Sequence, residues 1–448
     1  MASFSITDAQ VQSVFAGAGD FVARTLQAAQ QTVYCYFIDG LVSSSDISEY
    51  VLQPLLAGVP VCNAVADPVA DLDTLVNKLV NGFCVLLWPD HAMAYEVKTS
   101  EKRGISAPEV ENTVKGAKDA FTETVRTNTS LIRRHLRAPN LRFYEMRIGR
   151  QSQTNVTLAY LEGVTDPALT ARVRTRLESI EAAGFLSPAA VEEYLTGSRR
   201  TAFPLTQYTE RTDQFCEALL AGRVGVLVDG LPQGYLLPVD LGTLMASPED
   251  RTTDYISASC VRLLRYLALA VSLLLPAIYT AISTFHPEMI PTQLLLAIIE
   301  SKRQVPFPTV LEVLGLLVAF ELLQEAGIHL PQAIGQTVSI IGGLVVGTAA
   351  VEAKLISPAA LIVVSVAGIC GFTLPGRDFS DAVRVWRFLL TVAAALLGLF
   401  GVAASSLALL IHLSSLNSCG QAYLNPFSAA RARGALVRRR FGGRENGT

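Results

Sequence analysis

Two carboxylates lie among apolar residues in the second half of the sequence, and their chemistry depends on what surrounds them. Glu312 and Glu321 flank the apolar run 313–320. A carboxylate in hydrocarbon costs roughly 2.5–3.5 kcal/mol on insertion scales, so such a group normally faces protein or water. Each could line an ion path or bond a neighbouring helix. Alternatively, both lie near the ends of a membrane span, where exposure costs little, and the sequence leaves both interpretations open.

Prolines at membrane depth form a second group. Pro276 lies inside the first long apolar tract, where a proline removes a backbone hydrogen bond and kinks a helix. Pro287 and Pro291 bracket a short segment that also carries His286 and Glu288. Irregular backbone survives in a membrane only where it is buried in protein or lines a wet cavity. We therefore predict a structured elbow that needs partners.

A stripe of polar and small residues is the best pore candidate. Its members recur at i, i+3/i+4 spacing, which places them on one helical face: Gln336, Ser339, Gly343, Val346, Gly347 and Ala350. A tight helix–helix contact is the commoner use of small residues in membranes. In a symmetric ring of such helices, the same face could form a hydrophobic gate that conducts when wetted.

The sequence carries no pattern typical of an enzyme or a bound cofactor. The five histidines are isolated, and none has HExxH or triad-like spacing. The seven cysteines are an odd number without a CxxC pair, which argues against a zinc site or a disulfide framework. We expect no catalytic residues, no metal, no cofactor and a reducing compartment.

Five apolar segments are candidates for the membrane spans that position the glutamates, the prolines and the stripe. Each is near the ~20 residues that a membrane span requires, and they lie at 263–283, 308–326, 333–352, 357–374 and 385–413. The segment 289–299 is about half that length, which is typical of a re-entrant or interfacial helix. If both chain ends lie on one side of the membrane, the number of full crossings is even. The sequence leaves four or six open.

The first half contains an internal repeat. The runs 36–42 and 160–165 are β-rich and turn at an acidic residue followed by glycine. Later in each unit, at 79–87 and 219–228, a helix that a glycine closes precedes a buried strand. We predict two similar α/β subdomains. Between them, the mixed-charge stretch 107–140 predicts an exposed bridging helix or an interface where subunits exchange Arg–carboxylate pairs.

These features predict an α/β soluble N-terminal region of two similar subdomains followed by an all-α polytopic membrane domain. The expected boundaries are 1–140 with the bridging helix, 141–246, a membrane domain at 247–415 and a poorly ordered basic tail at 416–448. Ser247-Pro248-Glu249-Asp250 predicts a helix start ahead of the membrane.

Charge predicts the sidedness of the chain. The formal net charge is −3, but the tail is rich in arginine, which favours the cytoplasmic side. No aromatic residues interleave these arginines, so we expect no nucleic-acid binding. Residues 1–10 lack a basic n-region followed by an apolar run, so we expect no cleavable signal peptide. The soluble half is therefore expected in the cytoplasm.

At this level the sequence resembles a known family. Arg251 through Pro375 is similar to the membrane domain of the A subunit of bacterial spore germinant receptors (GerA type). The matching runs there are 263–267, 273–279, 284–292 with Phe285-His286-Pro287-Glu288, 306–308, 320–321, 325–328, 335–340, 350–353 and 357–359. The soluble half matches at 108–109, 121–123, 131–134, 208–213 and 228–230. The resemblance covers nearly the whole chain.

The resemblance implies a cytoplasmic two-part N-terminal domain and a helical membrane domain in the spore inner membrane. It implies assembly with a permease-like B subunit, which would recognise the nutrient, and a lipoprotein C subunit. It also implies a ring of A subunits, a pentamer, that forms a nutrient-gated cation channel. A related branch amplifies germination without sensing nutrient directly. From the residues, a secondary transporter with broken helices and a non-conducting scaffold stay open as alternatives.

Overall fold

The chain forms two compact units in the computed structural model. The sheet unit comprises Met1–Arg199, Leu205–Val239 and Ser418–Gly420, and the helical unit comprises Arg200–Pro204, Asp240–Asn417 and Gln421–Thr448. The structure describes residues 6–28, 31–59, 61, 65–98, 108, 111, 113, 115–197, 201–329, 347–424 and 436–437.

The sheet unit contains two five-stranded sheets with the same topology. The first is built from β1 (Phe21–Ala28), β2 (Gln31–Ile38), β3 (Ala66–Val69), β4 (Phe83–Leu87) and β5 (Ala92–Glu96). The second is built from β6 (Leu141–Ile148), β7 (Thr154–Leu161), β8 (Gln207–Thr209), β9 (Val224–Val228) and β10 (Gly234–Leu237). Their orders are β1-β2-β4-β5-β3 and β6-β7-β9-β10-β8, with antiparallel pairing in each sheet. The prediction of two similar α/β subdomains is confirmed.

The helices of the sheet unit cover both faces of these sheets. They are α1 (Asp8–Val14), α2 (Ser44–Asp46) continued by a π-helical turn (Ile47–Leu52) and α3 (Gln53–Leu56), α4 (Leu72–Val80), α5 (Val125–His135), α6 (Pro167–Glu178), α7 (Pro188–Thr196) and α8 (Thr212–Leu220). Strand β4 shows the consequence. Val85 and Leu87 pack towards α4, while Cys84 and Leu86 pack towards the helices at 44–56, because successive side chains point to opposite faces. All five positions of β4 are therefore buried.

Helix α5 is the predicted bridging helix, but it is largely buried rather than exposed. Arg133 is only 1 % exposed, and its guanidinium binds both carboxylate oxygens of Asp20 at 2.7 and 2.9 Å. The same guanidinium donates to the carbonyls of Ala138 and Leu141, each at 2.9 Å. Arg133, one of the charged residues that predicted a solvent-exposed helix, thus forms its contacts inside the sheet unit.

The helical unit contains the apolar segments predicted to span the membrane, of which residues 333–346 lie outside the described part of the chain. Its helices are α9 (Leu241–Leu244), α10 (Glu249–Thr252), α11 (Tyr255–Phe285), a 3₁₀ turn (Pro287–Met289), α12 (Thr292–Lys302), α13 (Thr309–His329), α14 (347–352), α15 (Pro358–Phe372) and α16 (Arg377–Ser415). Among the described residues, α11 and α16 are long and apolar enough to cross a membrane, and α15 is a shorter apolar helix. The prediction of a helical second half is confirmed.

Helix α16 reverses direction at Gly398, which differs from the single span predicted at 385–413. Gly398 has φ 61° and ψ −142°, a conformation that only glycine adopts readily. A Cβ atom on Gly401 would lie 2.1 Å from the carbonyl oxygen of Ala393. The rings of Trp386 and His412 are 5.6 Å apart, although a straight helix would separate these residues by about 39 Å.

Residues 377–397 (arm 1) and 399–415 (arm 2) therefore form an antiparallel hairpin. The turn packs near the end of α11, since a Cβ atom on Gly398 would lie 3.2 Å from the ring of Phe285. The ring of Phe203 lies at the opposite end, 6.5 Å from Trp386 and 6.3 Å from His412. Hydropathy alone missed the reversal because both flanks of Gly398 are apolar.

The start of the predicted tail is ordered. The short strands β11 (Asn417–Ser418) and β12 (Gln421–Ala422) follow arm 2. Tyr423 is fully buried; its N–H donates to the carbonyl of Leu416, and its carbonyl accepts from the N–H of Leu241 at 2.9 Å. The end of the helical unit thus returns to its beginning. Residues 425–435 and 438–448 lie outside the described part of the chain.

Candidate functional site

Buried charged residues between the helices form three clusters, and the first lies at the start of α11. Asp250 is almost fully buried and accepts hydrogen bonds from Arg262 at 3.1 Å and from Arg265 at 2.9 Å. Arg265 also donates to the carbonyl of Met245 at 3.2 Å. Two arginines in the apolar tract are thereby tied to the segment before it, since a buried charge normally needs a partner.

The second cluster surrounds Glu312 in the first turn of α13. The Glu312 carboxylate accepts the N–H of Ser357, which caps α15, at 2.7 Å. The Lys302 ammonium lies 3.9 Å from the other Glu312 oxygen and donates to the Thr309 hydroxyl. A carboxylate at a helix N-terminus is stabilised by the helix dipole, so Glu312 joins α13 to α15.

The third cluster joins α13 to arm 1. Glu321 accepts hydrogen bonds from Arg384 at 2.8 Å and from Arg387 at 2.9 Å, and Arg384 also donates to the Gln324 side chain at 2.6 Å. A cavity of about 430 Å³ opens beside these groups, and Arg377 and Glu325 also line it. The Glu321 side chain lines this cavity and is 39 % exposed, whereas Arg387 is buried. The carboxylate is therefore less enclosed than its arginine partner.

Glu312 and Glu321 therefore both bond neighbouring helices. Their partners, which include Lys302, Arg384 and Arg387, are not predicted from the sequence. Arg384 and Arg387 lie three residues apart at the start of an apolar tract, and this spacing places them on one helical face. That signal could have been read. The pairing of Lys302 and Ser357 with Glu312 depends on tertiary contacts and leaves no local pattern.

The residues of the predicted elbow lie between α11 and α12. His286 ends α11, and its ring lies 3.3 Å from the Glu288 carboxylate. Pro287 begins the 3₁₀ turn, and Pro291 precedes the first residue of α12. Pro276 is buried inside α11, and its carbonyl accepts the hydroxyl of Thr280 at 2.8 Å. These residues do not converge on one site.

The predicted pore stripe is only partly described. Gly347 and Ala350 lie in α14, and Gly347 is buried against Leu361 of α15, 3.5 Å from where its Cβ atom would be. This contact is of the close helix–helix type that small residues permit. The other members lie outside the described residues: Gln336, Ser339, Gly343 and Val346.

The sheet unit contains its own titratable pair. His135, at the end of α5, lies with its Nε2 atom 2.6 Å from the Asp119 carboxylate. This hydrogen bond raises the pKa of His135 and lowers the pKa of Asp119. Burial raises the pKa of Glu111, although the Thr209 hydroxyl donates to it at 2.5 Å. The two pairs are linked through Asp213, which acts on His135, and Arg211, which bonds both Asp213 and the Glu111 carbonyl, as expected of a structural network.

In the described part of the chain, no group of three or more histidine, cysteine, aspartate and glutamate side chains could hold a metal ion.

Comparison with known proteins identifies the family. The family model described as Bacillus/Clostridium GerA spore germination protein matches residues 9–442. The chain is a member of the GerA family. Among GerA relatives, spore germination protein A1 of Bacillus subtilis (strain 168) is 37% identical over 363 residues, 81% of this chain and 75% of that protein.

Two further GerA relatives from the same organism extend the match. Spore germination protein KA is 33% identical over 452 residues, covering 96% of this chain and 83% of that protein. The uncharacterized membrane protein YfkQ is 34% identical over 423 residues, covering 90% and 82%. The N-terminal domain of the A subunit of the Bacillus megaterium spore germinant receptor GerK3 gives a TM-score of 0.40 at 22% identity, over 52% of this chain and 96% of that one.

Proposed function

We propose that this chain is the A-type membrane subunit of a spore germinant receptor and forms a homo-oligomeric, nutrient-gated cation channel. The observation that carries the proposal is the Glu321–Arg384–Arg387 cluster beside an open cavity in an apolar helical unit. Ionised residues at membrane depth face the interior of a bundle or water and mark ion pathways. Family membership supplies the germination context. We propose no catalytic activity.

The hairpin supports six crossings with both chain ends on one side. Tyr279, late in α11, packs against the cluster that Val313 and Leu317 of α13 form with α15, so α13 begins near the late end of α11. Ser357, at the start of α15, bonds Glu312, so α15 begins at that same end. With α13 and α15 as crossings that start at the same end, we propose one further crossing between them.

The two arms of α16 complete the count at six. Arms 1 and 2 are about 31 and 25 Å long, close to the ~30 Å of hydrocarbon in a bilayer. Helix α12 then does not cross. The tail returns to the side from which α11 enters, and we assign that side to the cytoplasm of the spore, inside the inner membrane.

The gate is assigned to the stripe from Gln336 to Ala350. In a ring of subunits, a pentamer, the small residues would line the axis and Val346 would form the constriction. Nutrient binding to a permease-like B subunit, with a lipoprotein C subunit in the complex, would shift the ring from closed to open. Such a shift requires that the partner bind the two states with different affinity.

Single-channel recording of the purified oligomer in planar bilayers tests this function. A channel gives discrete conductance steps, whereas a secondary transporter or a scaffold gives none. A mass measurement of the detergent-solubilised complex gives the subunit count independently. A monomer without conductance would overturn the proposal.

Substitution of the constriction is the sharper test. Val346→Ala removes two methyl groups from each subunit of the proposed gate, and we expect a leak in the absence of nutrient. The matched control is Val366→Ala, because Val366 is an exposed apolar residue of α15. If substitutions at Val346, Ser339 and Gly343 leave ion flux unchanged, this helix does not line the pore.

A further inference from the structure

Helix α12 combines exposed apolar side chains with a charged last residue that reaches into the helical unit. None of its residues is buried, and its apolar side chains Leu294, Leu296 and Ile299 are exposed. Its last residue is different. The Lys302 side chain is only 21 % exposed and reaches inward, with its ammonium 5.8 Å from the centre of the Tyr279 ring. The ammonium of Lys302 thus points into the helical unit, whereas the apolar side chains named above are exposed.

The pocket that receives this ammonium holds one buried negative charge. The Glu312 side chain is fully buried, and its Oε2 atom accepts the Ser357 N–H. Its Oε1 atom has no hydrogen-bond partner, because the Lys302 nitrogen at 3.9 Å is beyond hydrogen-bond distance. The Tyr279 hydroxyl, also buried, lies beside Ser357 and Glu312 without a well-formed hydrogen bond. A buried polar atom left unpaired is destabilising, so these oxygens favour a ligand that pairs with them.

The chemistry of these oxygens fits a singly charged cation. The pocket offers one carboxylate and the hydroxyls of Tyr279, Ser357 and Thr309, which are hard oxygen ligands. One carboxylate balances one positive charge, whereas a divalent ion would leave an excess charge buried. An ammonium has the charge of an alkali ion and binds similar oxygen groups, so Lys302 and a free ion would compete.

We propose that the Glu312 pocket is a binding site for a monovalent alkali cation, which the Lys302 ammonium occupies in this state as a tethered ion. When α12 moves away and withdraws Lys302, K⁺ or Na⁺ takes its place, so one positive charge leaves as another enters. The site uses none of the residues of the stripe at 336–350. It goes beyond the proposed channel and does not depend on conduction.

The first test removes the Lys302 ammonium from the pocket by substitution. Full-length protein carrying Lys302→Met is purified in detergent, and its Tm is measured in KCl, NaCl and choline chloride at equal ionic strength. We expect a Tm about 3 °C higher in an alkali salt at a concentration far above its Kd than in choline, because a bound ligand stabilises the folded state. The wild type and the control Arg303→Met, at an exposed neighbouring cation, should show no such difference.

The double variant Lys302→Met/Glu312→Gln decides which group holds the ion. Loss of the alkali-specific rise in Tm supports the site. An unchanged rise, or a Lys302→Met protein equally stable in all three salts, overturns it, because Lys302 and Glu312 then form only a structural ion pair.

A second measurement needs no substitution and so is independent of folding of the variants. In wild-type protein, K⁺ competes with Lys302 for the pocket, so acetylation of Lys302 by an amine reagent should rise about twofold in KCl relative to choline chloride. Lys354 is the internal control in the same mass spectrum. Equal labelling of Lys302 in both salts contradicts the proposal whether or not the protein conducts.

Discussion

The sheet unit and the helical unit bury charged side chains in different ways. In the sheet unit, the Arg133 guanidinium binds both oxygens of Asp20 and two backbone carbonyls, and both side chains are at most 4 % exposed. In the helical unit, Glu321 shares two arginines but stays 39 % exposed to a cavity. Glu312 has an oxygen without a hydrogen-bond partner.

This difference separates charges that fix a structure from charges that can change partners. A fully satisfied network holds one arrangement, because every alternative loses hydrogen bonds in a low-dielectric interior. A charged group that is partly exposed, or that has an oxygen without a hydrogen-bond partner, can form other contacts of similar free energy. The helical unit is therefore where we expect rearrangement, and the sheet unit is where we expect rigidity.

The largest effect is expected at Arg133. Arg133→Met leaves the Asp20 carboxylate buried without its partner, which should lower the free energy of unfolding of the sheet unit by about 3–5 kcal/mol. Denaturant titration followed by Trp88 fluorescence, in a Trp386→Phe background, measures it. Arg150→Met is the control, because its pair with Glu181 is exposed and should contribute less than about 1 kcal/mol. Equal losses in the two variants would remove the contrast between fixed and exposed pairs.

A smaller loss is expected at Arg387 in the helical unit. Arg387→Met removes one of two arginines from Glu321, which keeps Arg384 and some contact with water. We expect a loss of about 1.5–3 kcal/mol, as for a hydrogen bond to a charged group. The Tm of the full-length protein in detergent reports it. A loss as large as that of Arg133→Met would show that this cluster is as rigid as the one in the sheet unit.

The smallest effect is expected at His135 and depends on pH. Its pKa is raised by Asp119, so its stabilisation is complete below the unfolded histidine value of about 6.5 and is lost as pH rises through the folded pKa. The lowered pKa of Asp119 keeps the carboxylate charged until pH falls below about 4.

The stability difference between the wild type and His135→Gln should therefore be largest between about pH 4 and 6.5. Its size should stay below about 1 kcal/mol, because the pair is partly exposed. Denaturant titration at pH 5.5 and at pH 9 measures it. A difference that grows with pH would mean that the imidazole is bound in its neutral form.

The repeat of the sheet unit could be predicted because its signals are local. Each β-rich run that turns at Asp39-Gly40 or Glu162-Gly163 is a central strand, β2 or β7, and each glycine-closed helix before a buried strand is present as α4–β4 or α8–β9. Strand alternation and glycine at a helix end follow from the backbone of a few residues.

The clusters of the helical unit could not be predicted in the same way. Ser357 lies 45 residues from Glu312, and Arg387 lies 66 residues from Glu321. Nothing local marks such pairs, since an apolar helix can present a charged residue to any neighbour. Hydropathy and helical spacing predicted the membrane segments and the pore stripe but not these partners. Hydropathy does not predict the reversal at Gly398, because it measures how apolar a segment is and not the direction in which the chain runs.

The backbone hydrogen bond between Leu241 and Tyr423 has a consequence for biosynthesis. A chain leaves the ribosome from its N-terminus, so Leu241 emerges long before the residue that pairs with it. The helical unit cannot close until arm 2 and the segment after it have been translated and inserted. A messenger RNA truncated shortly before codon 423 would therefore yield a chain that has every helix from α1 to α16 but lacks the hydrogen bond that joins the start and the end of the helical unit.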